Sequence, residues 1–129
     1  MRVKLFYRDF IIFLIFGLSY YLLEILWRGY SHWTMIILGG LCGLLIGMIN
    51  EITPKMKVWR QMLLGSVIVT ILEFIAGCIL NIWLELGIWN YSNMPFNILG
   101  QVCLVYTILW FLLSYIVIWL DDEIREKLK

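Results

Sequence analysis

The chain has 129 residues, of which 63% are hydrophobic and 15% charged, and its mean hydropathy is +0.90. Soluble domains are about half apolar and about a quarter charged, so a soluble core of this size could not bury so much Leu, Ile, Phe and Trp. The net charge of +1 and the lack of a basic aromatic groove exclude a general affinity for nucleic acid. Composition therefore predicts one transmembrane domain over residues 1–129, with the lipid bilayer as its surroundings.

Four apolar segments are long enough, or nearly so, to cross the hydrocarbon layer, which takes about 20 residues of helix. In chain order they cover roughly residues 10–27, 33–49, 61–84 and 98–120. The first segment follows a basic start but lacks a small-x-small cleavage site, so we interpret residues 1–16 as part of an uncleaved span. We expect an all-α fold, an integral membrane four-helix bundle.

Glycines recur along the second span. Gly39, Gly43 and Gly47 are four residues apart, which places them on one helix face. In lipid, small residues at this spacing let a neighbouring helix approach closely. They predict a helix-packing seam.

The distribution of Lys and Arg predicts the orientation. Four spans put both termini on one side, and nine of the ten cations fall on that side while only Arg28 falls on the other. The nine are Arg2, Lys4, Arg8, Lys55, Lys57, Arg60, Arg125, Lys127 and Lys129. The positive-inside rule then predicts cytoplasmic termini in the plasma membrane, with residues 121–129 as a short or frayed cytoplasmic helix.

Charged residues in or beside the spans are functional candidates, because charges in lipid are costly and usually face the bundle interior. Glu24, Arg28 and His32 are spaced by four, so they share one face if the first helix continues that far. Glu73 lies about 16–18 Å from either end of the third span, near the bilayer centre. A carboxyl group at this depth is expected to be protonated or paired through water.

Amide side chains extend this set toward the outer side. Asn81 lies two turns beyond Glu73, and Asn97 and Gln101 open the fourth span four residues apart. Asn90 lies in the outer loop 85–97, which is rich in turn-forming residues. These residues predict an outward-opening polar pocket with Glu73 at its floor, although the ion pair and the amides could equally join the helices.

Other chemistry finds no support in the sequence. His32 is the only histidine, and neither HExxH nor a Cys/His cluster with zinc spacing is present, so we expect no metal. The serines lack a GxSxG context and no GxxxxGK[ST] motif occurs. We therefore expect no cofactor and no nucleotide bound by this chain.

Several linked strings carry a family resemblance. They are EILWRGYSHWTM at 24–35 followed by Gly39 and Gly40, TILEF at 70–74 with Gly77 and Asn81, and IWNYS at 88–92 followed by PFNILGQVCL at 95–104. From about residue 20 to 122 the chain resembles the bacterial family of small membrane proteins labelled "putative ABC-transporter type IV", or putative ABC transporter permease. In that family the Trp-x-Tyr-Ser motif usually carries Asp where this chain has Asn90, a departure that argues against a cation or proton role for the outer loop.

The resemblance implies a permease, and ABC activity implies a separate ATPase subunit docking on the short connection 50–60. Three functions fit the residues. The favoured one is small-solute transport, which with only four helices implies a homo-oligomer. The next is a non-catalytic partner or sensor subunit. The last is an enzyme acting on lipid-linked material, with Glu24 or Glu73 as acid or base and Arg28 holding an anionic headgroup.

Overall fold

The computed structural model describes residues 2–128, with side chains from Phe6 onward. Met1 and Lys129, which belong to the predicted first span and to the predicted basic face, lie outside the described residues. The helices are α1 Arg2–Arg28, α2 Thr34–Ile52, α3 Val58–Gly77 and α4 Leu104–Lys127, and α3 runs on into a π-helical turn, Cys78–Trp83. All four are long and apolar enough to cross a membrane. The predicted all-α fold with four membrane helices is confirmed.

Helix α2 is the centre of the bundle. It packs against each of the other three helices, whereas α1 barely touches α4. Gly39 and Gly43 lie against Tyr20 and Phe16 of α1, and added Cβ atoms would overlap these rings. The small residues of α2 therefore let α1 come within side-chain contact of the α2 backbone.

The buried core joins α2 to α3, to α4 and to the segment before α4, and Tyr20 of α1 packs against it. Its members are Met35, Leu38, Cys42, Ile46, Val69, Ile88 and Ile118. Ile88 comes from the segment 84–103 that connects the π-helical turn to α4, so this connecting segment enters the bundle instead of lying flat upon it. Large apolar side chains such as Leu26, Ile71 and Leu112 cover the outward helix faces, as expected for contact with lipid.

Helix α4 begins and ends later than the predicted span 98–120. Leu99 and Gly100 have φ angles of +54° and +73°, which an α-helix does not contain, and the helix begins only at Leu104. At its other end it continues to Lys127 without a break. The tail, predicted as a short or frayed helix, is helical over the described residues, but it continues α4 without fraying before Lys127, and Asp121 and Arg125 are buried against the bundle.

Arg125 defines what we call the terminal end of the bundle. Its guanidinium lies 2.8 Å from Asp121, 3.4 Å from Asp9 of α1 and 3.7 Å from Glu51 of α2. The start of α1 and the ends of α2 and α4 thus meet at this end. The opposite end, which holds Arg28 and the connecting segment, is called the loop end.

Candidate functional site

A cavity of about 520 Å³ lies between α1 and α4. It exists because both helices pack on α2 while hardly touching each other. It extends from Arg28 at the loop end to Leu120 near the terminal end, and its rim residues Leu23 and Trp27 are exposed. The cavity is therefore long, mostly apolar and open at its rim.

Glu73 is the buried acid of this cavity. It lies midway along α3 and its π-helical extension, lines the cavity and is only 6% exposed. The indole N–H of Trp110 on α4 donates a hydrogen bond to its carboxyl group. Among the residues whose side chains are described, no Lys, Arg or His forms an ion pair with it. Such a group can exchange a proton or neutralise a bound cation.

Two aromatic pairs form the walls near Glu73. Tyr20 of α1 stacks on Trp110 with ring centroids 5.8 Å apart, and Tyr91 of the connecting segment stacks on Tyr106 of α4 at 4.8 Å. All four rings line the cavity together with Glu73. Burial, and next the nearby carboxyl group of Glu73, raise the pKa of Tyr91 well above its usual value, so its phenol stays neutral.

Glu24 and Arg28 line the cavity at its loop end and form an i,i+4 ion pair. Their side chains are 15% and 24% exposed. Arg28 Nη1 also donates a 2.8 Å hydrogen bond to the carbonyl oxygen of Ile88, and the guanidinium lies 4.8 Å from the ring centroid of Tyr30. The pair therefore cancels its own charge and ties the connecting segment to α1.

His32 does not share the face of Glu24 and Arg28, because the first helix does not continue that far. Helix α1 ends at Arg28, and Gly29 with φ +84° turns the chain away. His32 instead lies just before α2, where its Nδ1 accepts a 3.3 Å hydrogen bond from the Thr34 N–H and lies 2.7 Å from the Thr34 hydroxyl. It does not line the cavity.

Asn81 and Gln101 hold the connecting segment in place. Asn81, on the π-helical turn, donates to Gln101 Oε1 at 2.8 Å and accepts hydrogen bonds from the backbone N–H groups of Ile88 at 2.7 Å and Trp89 at 3.3 Å. Gln101 in turn donates to the Leu99 carbonyl at 2.9 Å. Both amides are engaged within the protein, and neither lines the cavity.

Asn90 and Asn97 shape turns of the same segment. Asn90 is exposed and accepts a 2.9 Å hydrogen bond from the Ser92 N–H. Asn97 donates to the Met94 carbonyl at 2.8 Å and accepts from the Gly100 N–H at 3.0 Å. Of the eight predicted site residues, the structure brings Glu24, Arg28 and Glu73 to one cavity, whereas the four amides and His32 stabilise the segments around it.

The aromatic walls were not predicted. The sequence does contain a signal for them, because Tyr20 lies one turn before Glu24 and Tyr106 lies one turn before Trp110. Tyr and Trp near span ends are typical of the lipid–water boundary. The sequence pattern therefore favours that location over a position facing the cavity.

A second polar cluster, at the terminal end, was also not predicted. Carboxylate oxygens of Glu51, Asp121 and Asp122 come within 4.8 Å of one another, the one such group among the described residues. Arg125 contacts Glu51 and Asp121, and Asn50 donates to Asp122 at 2.8 Å. Since a buried arginine already supplies the positive charge, this cluster is an ion-pair network.

Comparison with known protein families gives a match over most of the chain. The model of the family described as "Putative ABC-transporter type IV" matches residues 9–128. No curated protein and no solved structure shows a significant match to the chain. The match covers α2, α3, α4, most of α1 and the connecting segment at the loop end of the cavity.

Proposed function

We propose that this chain, which belongs to the Putative ABC-transporter type IV family, is a membrane transport component that holds its solute in the cavity between α1 and α4. Family membership and four apolar helices make it a transport-related, multi-pass membrane protein. The observation that carries the finer proposal is Glu73, a buried carboxyl group without a charged partner among the described side chains, facing a cavity of ligand size.

The packing of the helices supports movement of α1. Helix α1 is attached mainly to α2, along the seam formed by Gly39 and Gly43. Its contacts across the cavity to α4 are few, and they include the Tyr20–Trp110 stack and the Asp9–Arg125 pair. A small sliding of α1 along the seam would open or close the cavity, as in shear motions of packed helices.

The charge distribution supports an orientation. The connection between α2 and α3 is exposed at Lys55 and Lys57, and the terminal end carries the basic residues of α4. By the positive-inside rule the terminal end faces the cytoplasm and the loop end faces outward, in the plasma membrane. A separate ATPase subunit would then meet residues 53–57.

The open rim supports an assembly. Because α1 and α4 leave the cavity open beside Leu23 and Trp27, one chain alone does not enclose a pathway. We therefore propose that the transport unit is a homo-oligomer in which a second copy covers this rim.

A second candidate function is a non-catalytic partner or sensor subunit. It is favoured by the engagement of Asn81, Asn97 and Gln101 in bonds that only shape the connecting segment. In that case filling the cavity would leave solute movement unchanged, and this outcome separates the two candidates.

The test fills the cavity without disturbing the packing. Ser19 lines the cavity and is exposed, so Ser19→Trp places an indole in the solute space. Leu18→Trp, at a neighbouring position exposed on the outside of α1, adds a bulky side chain outside the cavity and is the matched control. We expect Ser19→Trp to lower flux about tenfold or more, because its indole would occupy space that the solute needs. We expect Leu18→Trp to leave flux unchanged.

Flux is measured in right-side-out and inverted membrane vesicles, with and without ATP. The panel comprises radiolabelled amino acids, sugars, nucleosides, carboxylates and organic cations. Equal flux of every solute in vesicles with wild type, Ser19→Trp and no protein would contradict the transport proposal.

A further inference from the structure

From the charges around the cavity we infer that its solute is an amphipathic organic cation, an inference that rests on the proposed transport function. Among the described residues, three charged side chains line the cavity, and two of them, Glu24 and Arg28, form an ion pair. The third, Glu73, has no cationic partner among the described side chains. The cavity with Glu73 ionised therefore has a net charge of −1.

A buried carboxylate is stable only when charge and hydrogen bonds compensate its lost hydration. Trp110 supplies one hydrogen bond, and no described residue supplies the charge. A protonated amine or a quaternary ammonium group would provide it. An anionic solute finds a weaker partner, because the charge of Arg28 is already paired with Glu24 and its Nη1 with the Ile88 carbonyl, which leaves only Nε without a hydrogen bond.

The aromatic walls suit the same group. Tyr20, Trp110, Tyr91 and Tyr106 present their rings to the cavity that contains Glu73. Aromatic faces attract cations within about 6 Å of the ring centroid, and rings around a carboxylate favour alkylated ammonium groups in particular. With its raised pKa, Tyr91 remains an uncharged ring in this wall.

The rest of the cavity requires an apolar body. Beyond Glu73 it continues toward the terminal end between Phe16 of α1 and Leu113, Ile116 and Leu120 of α4. An inorganic cation would leave this apolar space, part of about 520 Å³, unfilled. The ligand thus combines one positive charge with an aromatic or aliphatic portion.

The experiment compares two probes of the same shape and opposite charge, tetraphenylphosphonium and tetraphenylborate. Binding to the purified full chain in lipid nanodiscs is measured by isothermal titration calorimetry. After subtraction of the binding to protein-free nanodiscs of the same lipid, where the dipole potential favours the borate, we expect the phosphonium to bind the wild type and the borate to bind at least about tenfold more weakly. Equal binding of both probes, or tighter binding of the borate, would overturn the inference without any variant being needed.

Two substitutions then test whether Glu73 supplies the negative charge that binds the phosphonium. Glu73→Gln keeps the shape and hydrogen-bonding capacity of the side chain but removes its charge, and we expect phosphonium affinity to fall about tenfold to a hundredfold. Glu123→Gln makes the same change at an exposed position on α4 away from the cavity and should have no effect. Unchanged phosphonium affinity in a folded Glu73→Gln protein would also overturn the inference.

The outcomes distinguish the inference from the function on which it rests. If the phosphonium fails to bind but another solute moves in a manner that Ser19→Trp abolishes, the cation inference fails and the transport proposal stands. If the phosphonium binds through Glu73 but no solute moves, the site stands and the transport proposal fails.

Discussion

A carboxyl group placed at the middle of a membrane helix reduces stability unless its surroundings compensate it. Among the described residues, the compensation at Glu73 is a hydrogen bond from Trp110. Replacing a residue that serves packing lowers the stability, whereas replacing a residue that serves binding often does not. The two roles can therefore be separated by measuring stability and binding on the same variant.

We predict that Glu73→Leu leaves the free energy of unfolding within about 1 kcal/mol of the wild type, or raises it, because loss of the buried polar group offsets loss of the Trp110 bond. The same variant should lose phosphonium binding. Ile46→Ala, at a fully buried core position, calibrates the scale with an expected loss of about 2–4 kcal/mol. Stability is measured by thermal and denaturant unfolding in detergent. A Glu73→Leu loss as large as that of Ile46→Ala would assign Glu73 to packing.

Whole helices were predictable from the sequence, because about 20 apolar residues in lipid leave the backbone few alternatives to a helix. The residue at which α4 begins was not predictable in this way. Residues 98–103 are apolar enough to continue a span, but Leu99 and Gly100 adopt positive φ angles within a segment fixed by amide side chains. Periodicity and hydropathy carry no information on such side-chain to backbone bonds.

The same lack of information on side-chain to backbone bonds explains why only part of the site is predictable from the sequence. Glu73 could be found, since a lone acid in an apolar run is conspicuous, and so could the Glu24–Arg28 pair from its spacing. Depth in the membrane predicts Asn81 and Gln101 at the pocket, but depth does not identify hydrogen-bond partners. Their actual partners include the N–H of Ile88 and the carbonyl of Leu99, and such partners become visible only once the segment is folded.

We predict that Asn81→Leu loosens the connecting segment 84–103. The change removes the acceptor for the N–H groups of Ile88 and Trp89 and the donor to Gln101, and should lower stability by about 2 kcal/mol. Hydrogen–deuterium exchange of peptides from 84–103 should become faster. Asn93→Leu, at an exposed position in the same segment, is the control. Exchange in Asn81→Leu that matches the control would contradict this structural role.

At the scale of the whole molecule, the two ends of the bundle are closed by different means. The loop end is closed by the connecting segment, whereas the terminal end is closed by Arg125, which is 7% exposed and contacts acids from α1, α2 and its own helix. Gly47 makes room for this arrangement, since the Asp121 carboxyl group lies where a Cβ on Gly47 would be. Closure here limits how far α1 can move from α4.

We predict that Arg125→Met destabilises the protein by about 3–5 kcal/mol, because it leaves Asp121, which is fully buried, without a counter-charge. Adding Asp121→Asn should recover most of the loss, since the uncompensated charge is then gone. The single variants and the double variant form a cycle whose coupling energy is read from unfolding in detergent. Arg60→Met, at an exposed basic residue of α3, controls for loss of positive charge alone. If the losses from Arg125→Met and Asp121→Asn simply add, the two residues are independent and the terminal end is closed by packing instead of by charge.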